Sequence, residues 1–280
     1  MRTFVSALAV LIGLVMAAIA VPAMWVDRNI VQEDGFVALT APLGTDPVFR
    51  QRLAAAAVGS LGSDRIPEVL TELARPVLES AATSLTGLPG YPEAWTETLR
   101  KSHRLSFVDP DTRPAEIDGV SALTLDAAPL AGLVAKQVAE ATRLPLEAPD
   151  QVLIKIGQPS QRQFLERVSA YAPMGYAAGV GAVISFAIAL VAARRRWTVL
   201  AGAGAGALVL AGAWKLASDA AGAAVARKKS GNEVAEIFKR EFVAASTGSF
   251  GQWILVAVVL GGMLLALGLM VRVLGGRRSG

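Results

Sequence analysis

Four long runs of apolar residues constrain the fold of this chain more than any other feature. Each is about 20 residues long, which is the length a helix needs to cross the hydrocarbon core of a bilayer. Within the runs the sequence is almost free of charge, and they cover residues 4–26, 173–193, 197–216 and 252–274. A mean hydropathy of +0.48 excludes a purely soluble protein. The sequence therefore predicts an α-helical membrane protein with four transmembrane helices.

The first run has two interpretations. Residues 1–25 are predicted to form an N-terminal transmembrane helix that acts as a signal anchor. Small residues at 18–20 and 21–23 also offer sites at which a signal peptide is cleaved. The apolar run is longer than the roughly 7–15 residues of a signal-peptide core, which favours the anchor. Both interpretations send residue 27 and the chain after it across the membrane.

Arginines beside the apolar runs predict the orientation. Cytoplasmic flanks of transmembrane helices carry an excess of Lys and Arg. The flanking arginines, which have no Asp or Glu among them, are Arg2, Arg194, Arg195, Arg196, Arg272, Arg277 and Arg278. We therefore expect a multi-pass protein of the plasma membrane with both termini in the cytoplasm and residues 26–172 outside. The second outer loop, 217–251, is an exception to the rule because its basic residues slightly outnumber its acidic ones.

Residues 26–172 are predicted to be one extracytoplasmic domain, followed by a three-helix transmembrane region over 173–280. The domain carries 14 Lys and Arg against 19 Asp and Glu, so it is acidic although the whole chain is basic. The chain has no cysteine, and the domain must be stable through its core alone. About 145 residues are enough for such a core.

Local patterns in the outer domain predict a helix-rich α+β fold. Alternating apolar residues predict two strands, each followed by a helix. The chain after the first run is predicted to be extended over 26–37, and Thr45 is predicted to cap a helix. The remaining predictions are a helical stretch over 64–85, a helix over 92–107, a strand over 120–125 before a helix over 129–142, and a strand over 152–156 before a helix from residue 160.

Two helix faces form a candidate interaction surface. The helix over 92–107 places Trp95, Leu99 and His103 on one face, at spacings of four residues. The outer loop contains an amphipathic helix over 232–246. It either lies in the membrane interface or docks on the outer domain, and docking is favoured because both ends are tethered. Its apolar stripe includes Ile237, Phe238 and Phe242.

Chemistry-bearing motifs are scarce. His103 is the only histidine, so a histidine-based metal site would need carboxylates for its other ligands. A structural hydrogen bond is the favoured role for this side chain, and Asp109 and Asp111 are interpreted as turn residues and not as calcium ligands. We expect no catalytic residues, no metal and no cofactor, although a pair of catalytic carboxylates brought together by folding stays open.

Three short motifs carry a resemblance to a known family. They are Thr40-Ala41-Pro42-Leu43 followed by Asp46-Pro47, the segment YPEAWTETLRKSH that contains Trp95 and His103, and VSALTLDAAPL over 120–130. On these residues the chain resembles a group of uncharacterised integral membrane proteins from actinobacteria. The resemblance implies an N-terminal span, an outer domain of this size and C-terminal spans, but no activity.

These observations favour a non-enzymatic protein of the cell envelope. Its partners are expected to be the lipid bilayer and another envelope protein or a second copy of itself. Nucleic acid is not expected, because the basic residues concentrate beside apolar runs. Two alternatives stay open at this point: an accessory subunit of a membrane transporter or export complex, and an envelope hydrolase or transferase.

Overall fold

The chain divides into two compact units. The structure is a computed structural model that describes residues 2–50, 87–107, 124–142, 150–155, 159–228 and 233–276. One unit, here called the apolar unit, comprises residues 1–28, 168–225 and 246–280. The other, here called the head unit, comprises residues 29–167 and 226–245.

Helices dominate the described part of the chain. In chain order the elements are α1 (Arg2–Val26), a π-helical turn (Asp27–Val31), α2 (Glu33–Thr40), a 3-10 helix (Ala41–Thr45), α3 (Tyr91–Phe107), β1 (Thr124–Asp126), α4 (Ala128–Thr142), β2 (Leu153–Lys155), α5 (Pro159–Tyr171), α6 (Met174–Ala192), α7 (Arg196–Arg227) and α8 (Glu233–Gly276).

Four helices in the described residues are long and apolar enough to cross a membrane. They lie at Arg2–Val31, Met174–Ala192, Arg196–Arg227 and Ala235–Leu274, where the sequence predicts spans. Many of their large apolar side chains point outward, such as Leu11, Val183 and Leu260, each more than half exposed. Exposed apolar surface on this scale is typical of helices that face lipid.

The structure corrects several predicted boundaries. Residues 26–37 were predicted to be extended, but residues 26–31 and 33–37 are helical and only Gln32 between them has an extended backbone. The predicted helix after Thr45 begins at Pro47. Its cap is Asp46 and not Thr45, the residue that was predicted. Its Oδ1 accepts from the backbone N–H of Val48 at 2.7 Å and of Phe49 at 2.8 Å.

The last two apolar helices are longer than predicted. The helix α7 continues eleven residues past the predicted end of its span at Leu216. The predicted amphipathic helix over 232–246 is not a separate element, because α8 runs without a break through Gly248. A continuous helix satisfies every backbone hydrogen bond internally, which outweighs the cost of one exposed glycine.

Glycines bring the helices of the apolar unit into close contact. A Cβ on Gly175 of α6 would lie 2.7 Å from the Cβ of Ala23 in α1. Between α7 and α8, a Cβ on Gly204 would lie 2.5 Å from the backbone N of Leu265. Such approach of two backbones is the usual function of small residues between membrane helices. By contrast, Gly202 has no neighbour within 4 Å of its Cβ position.

The described arginines that flank the apolar helices lie at one end of the apolar unit. Ser6, near Arg2, donates a hydrogen bond of 3.0 Å to the carbonyl of Ala189, just before the turn at 193–195. The guanidinium of Arg272 lies 5.0 Å from the ring centroid of Trp197, the second residue of α7. The starts of α1 and α7 and the ends of α6 and α8 therefore meet. Arg277 and Arg278 lie outside the described residues.

The head unit contains a two-stranded sheet on a helical layer. The strands β1 and β2 pair antiparallel, with Leu125 opposite Ile154. These elements lie where alternating apolar residues predict strands, and α4 and α5 follow them as predicted. The predicted helical stretch over 64–85 and the start of the first strand, residues 120–123, lie outside the described residues.

Candidate functional site

The two faces predicted from sequence pack against each other in the head unit. Trp95 and Leu99 of α3 share one apolar cluster with Ile237 and Phe238 of α8. All four side chains are buried, and Phe242 packs on the rim of the cluster. Residues 237 and 238 of the predicted segment therefore pack on α3 within the head unit. Since the contact is internal, the interaction surface itself stays a prediction.

The cluster owes its composition to helix periodicity. In α3, Tyr91, Trp95 and Leu99 recur every four residues, so one stripe of the helix carries three large side chains. The 3-10 helix approaches this stripe at Gly44. A Cβ there would lie 2.3 Å from Cδ1 of Trp95, so only glycine lets the indole lie flat against the backbone.

A row of aromatic rings links three helices at one side of the cluster. His103 of α3 stacks on Phe107 with ring centroids 4.4 Å apart. The ring centroid of Phe36 in α2 lies 5.1 Å from that of His103. The row continues from Phe36 to Phe242 of α8 at 6.0 Å, and from Phe242 to Phe238 at 5.9 Å. These distances are typical of favourable aromatic pairs.

His103 makes a structural hydrogen bond. Its Nε2 lies 3.0 Å from the carbonyl oxygen of Ile30 in the π-helical turn. Because a carbonyl only accepts, Nε2 carries the hydrogen. Burial lowers the pKa of His103 below its usual value, while the bond to Ile30 and the carboxylate of Glu33 act in the opposite direction. The neutral ring is therefore the form that this environment favours.

An ion pair lies beside His103 on the surface. Arg104 of α3 donates two hydrogen bonds to the carboxylate of Glu33 in α2, at 2.9 and 3.3 Å. A second guanidinium, that of Arg100, is 3.8 Å from the same carboxylate. The bonds from Arg104 lower the pKa of Glu33. The pair holds α2 on α3 through charge.

Buried polar side chains connect α3 to the sheet. Ser102 donates to the carbonyl of Thr98 at 2.5 Å and accepts from the backbone N–H of Asp126 at 2.9 Å. The carboxylate of Asp126 accepts from the backbone N–H groups of Ala128 and Val152, at 3.0 and 3.2 Å. Asp126 thereby starts α4 and positions the chain that enters β2. Each of these hydrogen bonds has a backbone group as one partner, so the network holds the fold of the chain around β1.

The sequence patterns did not reveal the ion pair or the Asp126 network. Two signals were available: Arg100 and Arg104 lie one helical turn apart, and Asp126 precedes Pro129 at the start of a helix. Neither signal names its partner, because Glu33 and Ser102 are distant in sequence. In the described ranges, no three His, Asp or Glu side chains lie close enough to hold a metal ion.

Comparison with known proteins finds no relative. No protein-family model, curated protein or solved structure matches this chain.

Proposed function

We propose that this protein is a multi-pass protein of the plasma membrane that presents its head unit, an α+β domain, on the outer side as a non-enzymatic interaction module. The observation that carries the proposal is the meeting of Arg2, Arg194–Arg196 and Arg272 at one end of the apolar unit. Arginines without acidic neighbours gather at this end of the four apolar helices, whereas acidic residues accompany the basic ones in the loop 217–251, which favours the arginine end as the cytoplasmic one. The four helices make the lipid bilayer its first partner.

Packing in the head unit supports a binding function. Three polar side chains of its described part, His103, Ser102 and Asp126, are buried and make hydrogen bonds to the backbone. On α2 and α3, the exposed positions that a partner can reach include Ala38 and Glu93. The partner is another envelope protein or a second copy of the chain.

The resemblance to actinobacterial membrane proteins belongs to this proposal. The residues that carry it also hold the head unit together: Asp46 caps a helix, Trp95 fills the core and Asp126 connects α4 with the chain that enters β2. Members of that group are expected to keep a glycine at the position of Gly44, because any other residue would collide with the indole of Trp95. Alignment of their sequences checks this.

Topology is tested by single-cysteine labelling, which the absence of natural cysteine makes direct. Gln151→Cys places a thiol at an exposed position of the head unit, and Thr3→Cys places one beside Arg2. In intact cells a membrane-impermeant maleimide should label the first variant and leave the second unlabelled until the cells are permeabilised. The reverse pattern would refute the proposed orientation.

Partner binding is tested by site-specific photo-crosslinking in intact cells. A photoreactive amino acid at Ala38 or Glu93 is expected to give a discrete protein adduct. The matched control is Leu11, which is 58% exposed in the apolar unit and should crosslink to lipid. A permease or transport ATPase in the adduct would identify the protein as an accessory subunit. Absence of any adduct from both head positions would count against an interaction module.

A further inference from the structure

His103 contacts the π-helical turn that follows α1 in the chain. The last carbonyls of a helix have no partner within that helix. Ile30 belongs to the π-helical turn that follows α1, and Nε2 of His103 supplies a hydrogen bond to its carbonyl at 3.0 Å. Histidine is one of the side chains that satisfy such carbonyls. The bond joins α3 to this turn.

Few charges act on this imidazole. It is 6% exposed and contacts the rings of Phe36 and Phe107. Among the described charged groups, Glu33 favours its protonated form and Arg104 disfavours it. The charged residues of the three elements around the ring are Asp27 and Arg28 in the turn, Glu33 and Asp34 in α2, and Glu93, Glu97, Arg100, Lys101 and Arg104 in α3.

The Glu33 charge is already shared. Arg104 makes two hydrogen bonds to that carboxylate, and Arg100 lies 3.8 Å from it. The carboxylate therefore offers little compensation for a positive charge on His103. A protonated ring would have to keep its charge among two phenyl rings and the backbone of Ile30 and Val31, or move towards water. Movement of the ring towards water breaks the contact between α3 and the π-helical turn.

We propose that His103 makes the contact between α3 and residues 29–40 acid-sensitive, so that acidification outside the cell opens the head unit at this contact. The outside location rests on the proposed function. At neutral pH the ring is uncharged and the contact is closed. As the pH falls below the value at which a free histidine titrates, protons bind preferentially to the open form and its population grows.

The sign of the effect follows from proton linkage. A base whose folded-state pKa is depressed stabilises the closed state above the unfolded pKa, and this contribution is lost as the pH falls through the folded pKa. Each unit by which the folded pKa lies below the unfolded one raises the open population tenfold at low pH.

The decisive measurement uses the fact that the chain has a single histidine. With isotope-labelled histidine, the NMR signal of the imidazole in detergent needs no assignment. We expect it to titrate below the value of about 6.5 found for free histidine. A midpoint at or above that value would overturn the proposal. This result does not depend on which side of the membrane the head unit faces, so it is separate from the cysteine-labelling test.

Hydrogen exchange shows whether the titration opens the contact. Amides of residues 29–40 and 91–107 should exchange faster at pH 5 than at pH 7.5, after correction for intrinsic rates, by a factor equal to that calculated from the measured midpoint. His103→Gln keeps a neutral donor and should abolish this difference. Arg104→Gln, one residue away, keeps the imidazole but frees the Glu33 carboxylate to compensate a charge on it, so it should reduce the difference without abolishing it. Equal pH dependence in the wild-type protein and His103→Gln would contradict the proposal.

Discussion

The apolar unit and the head unit place their large side chains in opposite ways. In the head unit Leu99 is fully buried and Trp95 is 2% exposed, whereas in the apolar unit Leu260 is 55% exposed. The interior of the apolar unit consists largely of small residues, such as Ala189 and Ala211, and of glycines at helix contacts. A head unit in water is stabilised by burying apolar area. Helices in lipid gain nothing from such burial and associate through close backbone packing.

The largest contrast is expected from a leucine truncated in each unit. Leu99→Ala removes a buried side chain and leaves a cavity, so it should lower the free energy of unfolding by about 2–5 kcal/mol. The matched change Leu216→Ala truncates a side chain that is 73% exposed in the apolar unit. Its effect should be within about 0.5 kcal/mol. Denaturation in detergent measures the free energy of unfolding of both variants. Comparable losses would contradict the proposed difference between the two units.

Two glycines of α7 test packing inside the apolar unit. Gly204→Ala forces a Cβ against the backbone of α8 and should cost about 1–3 kcal/mol. Gly202→Ala, half a turn away, meets no atom and should stabilise the helix by up to about 1 kcal/mol. The midpoint of thermal unfolding of the purified protein reports both changes. A loss of stability in Gly202→Ala would mean that another surface covers this face.

Serines in the two units test what a buried hydroxyl contributes. Ser102→Ala leaves the N–H of Asp126 without its acceptor in the head unit, which should cost about 1–3 kcal/mol. Ser6→Ala removes one bond to the carbonyl of Ala189 in the apolar unit. Hydrogen bonds between membrane helices contribute about 0.6 kcal/mol on average. Urea titration gives the loss of unfolding free energy for each variant, which should be larger for Ser102→Ala than for Ser6→Ala. The reverse order would contradict the prediction.

The smallest effect is expected from the surface ion pair. Arg104→Gln removes both hydrogen bonds to Glu33, yet the arginine side chain is 57% exposed and solvent screens the pair. Because the pair lowers the pKa of Glu33, its contribution is present at neutral pH and is lost as the pH falls through that lowered pKa. Unfolding temperatures of variant and wild type should therefore differ slightly at pH 7 and converge once the pH lies below that lowered pKa. A difference that persists there would point to packing by the arginine stem.

Much of the local structure could be predicted because it depends on short-range patterns. The helix around Trp95, the two short strands and the four apolar helices lie close to where periodicity and hydropathy predicted them. Boundaries were less predictable. Residues 26–37 contain several β-branched side chains and were expected to be extended, but residues 26–31 continue a helix that α1 has already nucleated and a new helix begins at Glu33. Likewise, a Ser-Thr-Gly-Ser segment at 246–249 does not end α8.

The role of the predicted site could not be derived from the sequence. Helical spacing placed Trp95, Leu99 and His103 on one face, and Ile237, Phe238 and Phe242 on another. Helical spacing did not predict that these two faces pack directly on each other. Leu99 and Ile237 are 138 positions apart, and only the fold brings them together. The same holds for the bond from His103 to Ile30 and for the Glu33 carboxylate beside it.

The sequence by itself determined that four helices are apolar enough for lipid, and it placed the arginines beside them, because length and hydropathy are properties of contiguous residues. The tertiary structure alone decided that these arginine flanks meet at one end of the apolar unit and that His103 is enclosed by aromatic rings beside a helix carbonyl. Burial, and with it the pKa of a side chain, depends on residues distant in sequence.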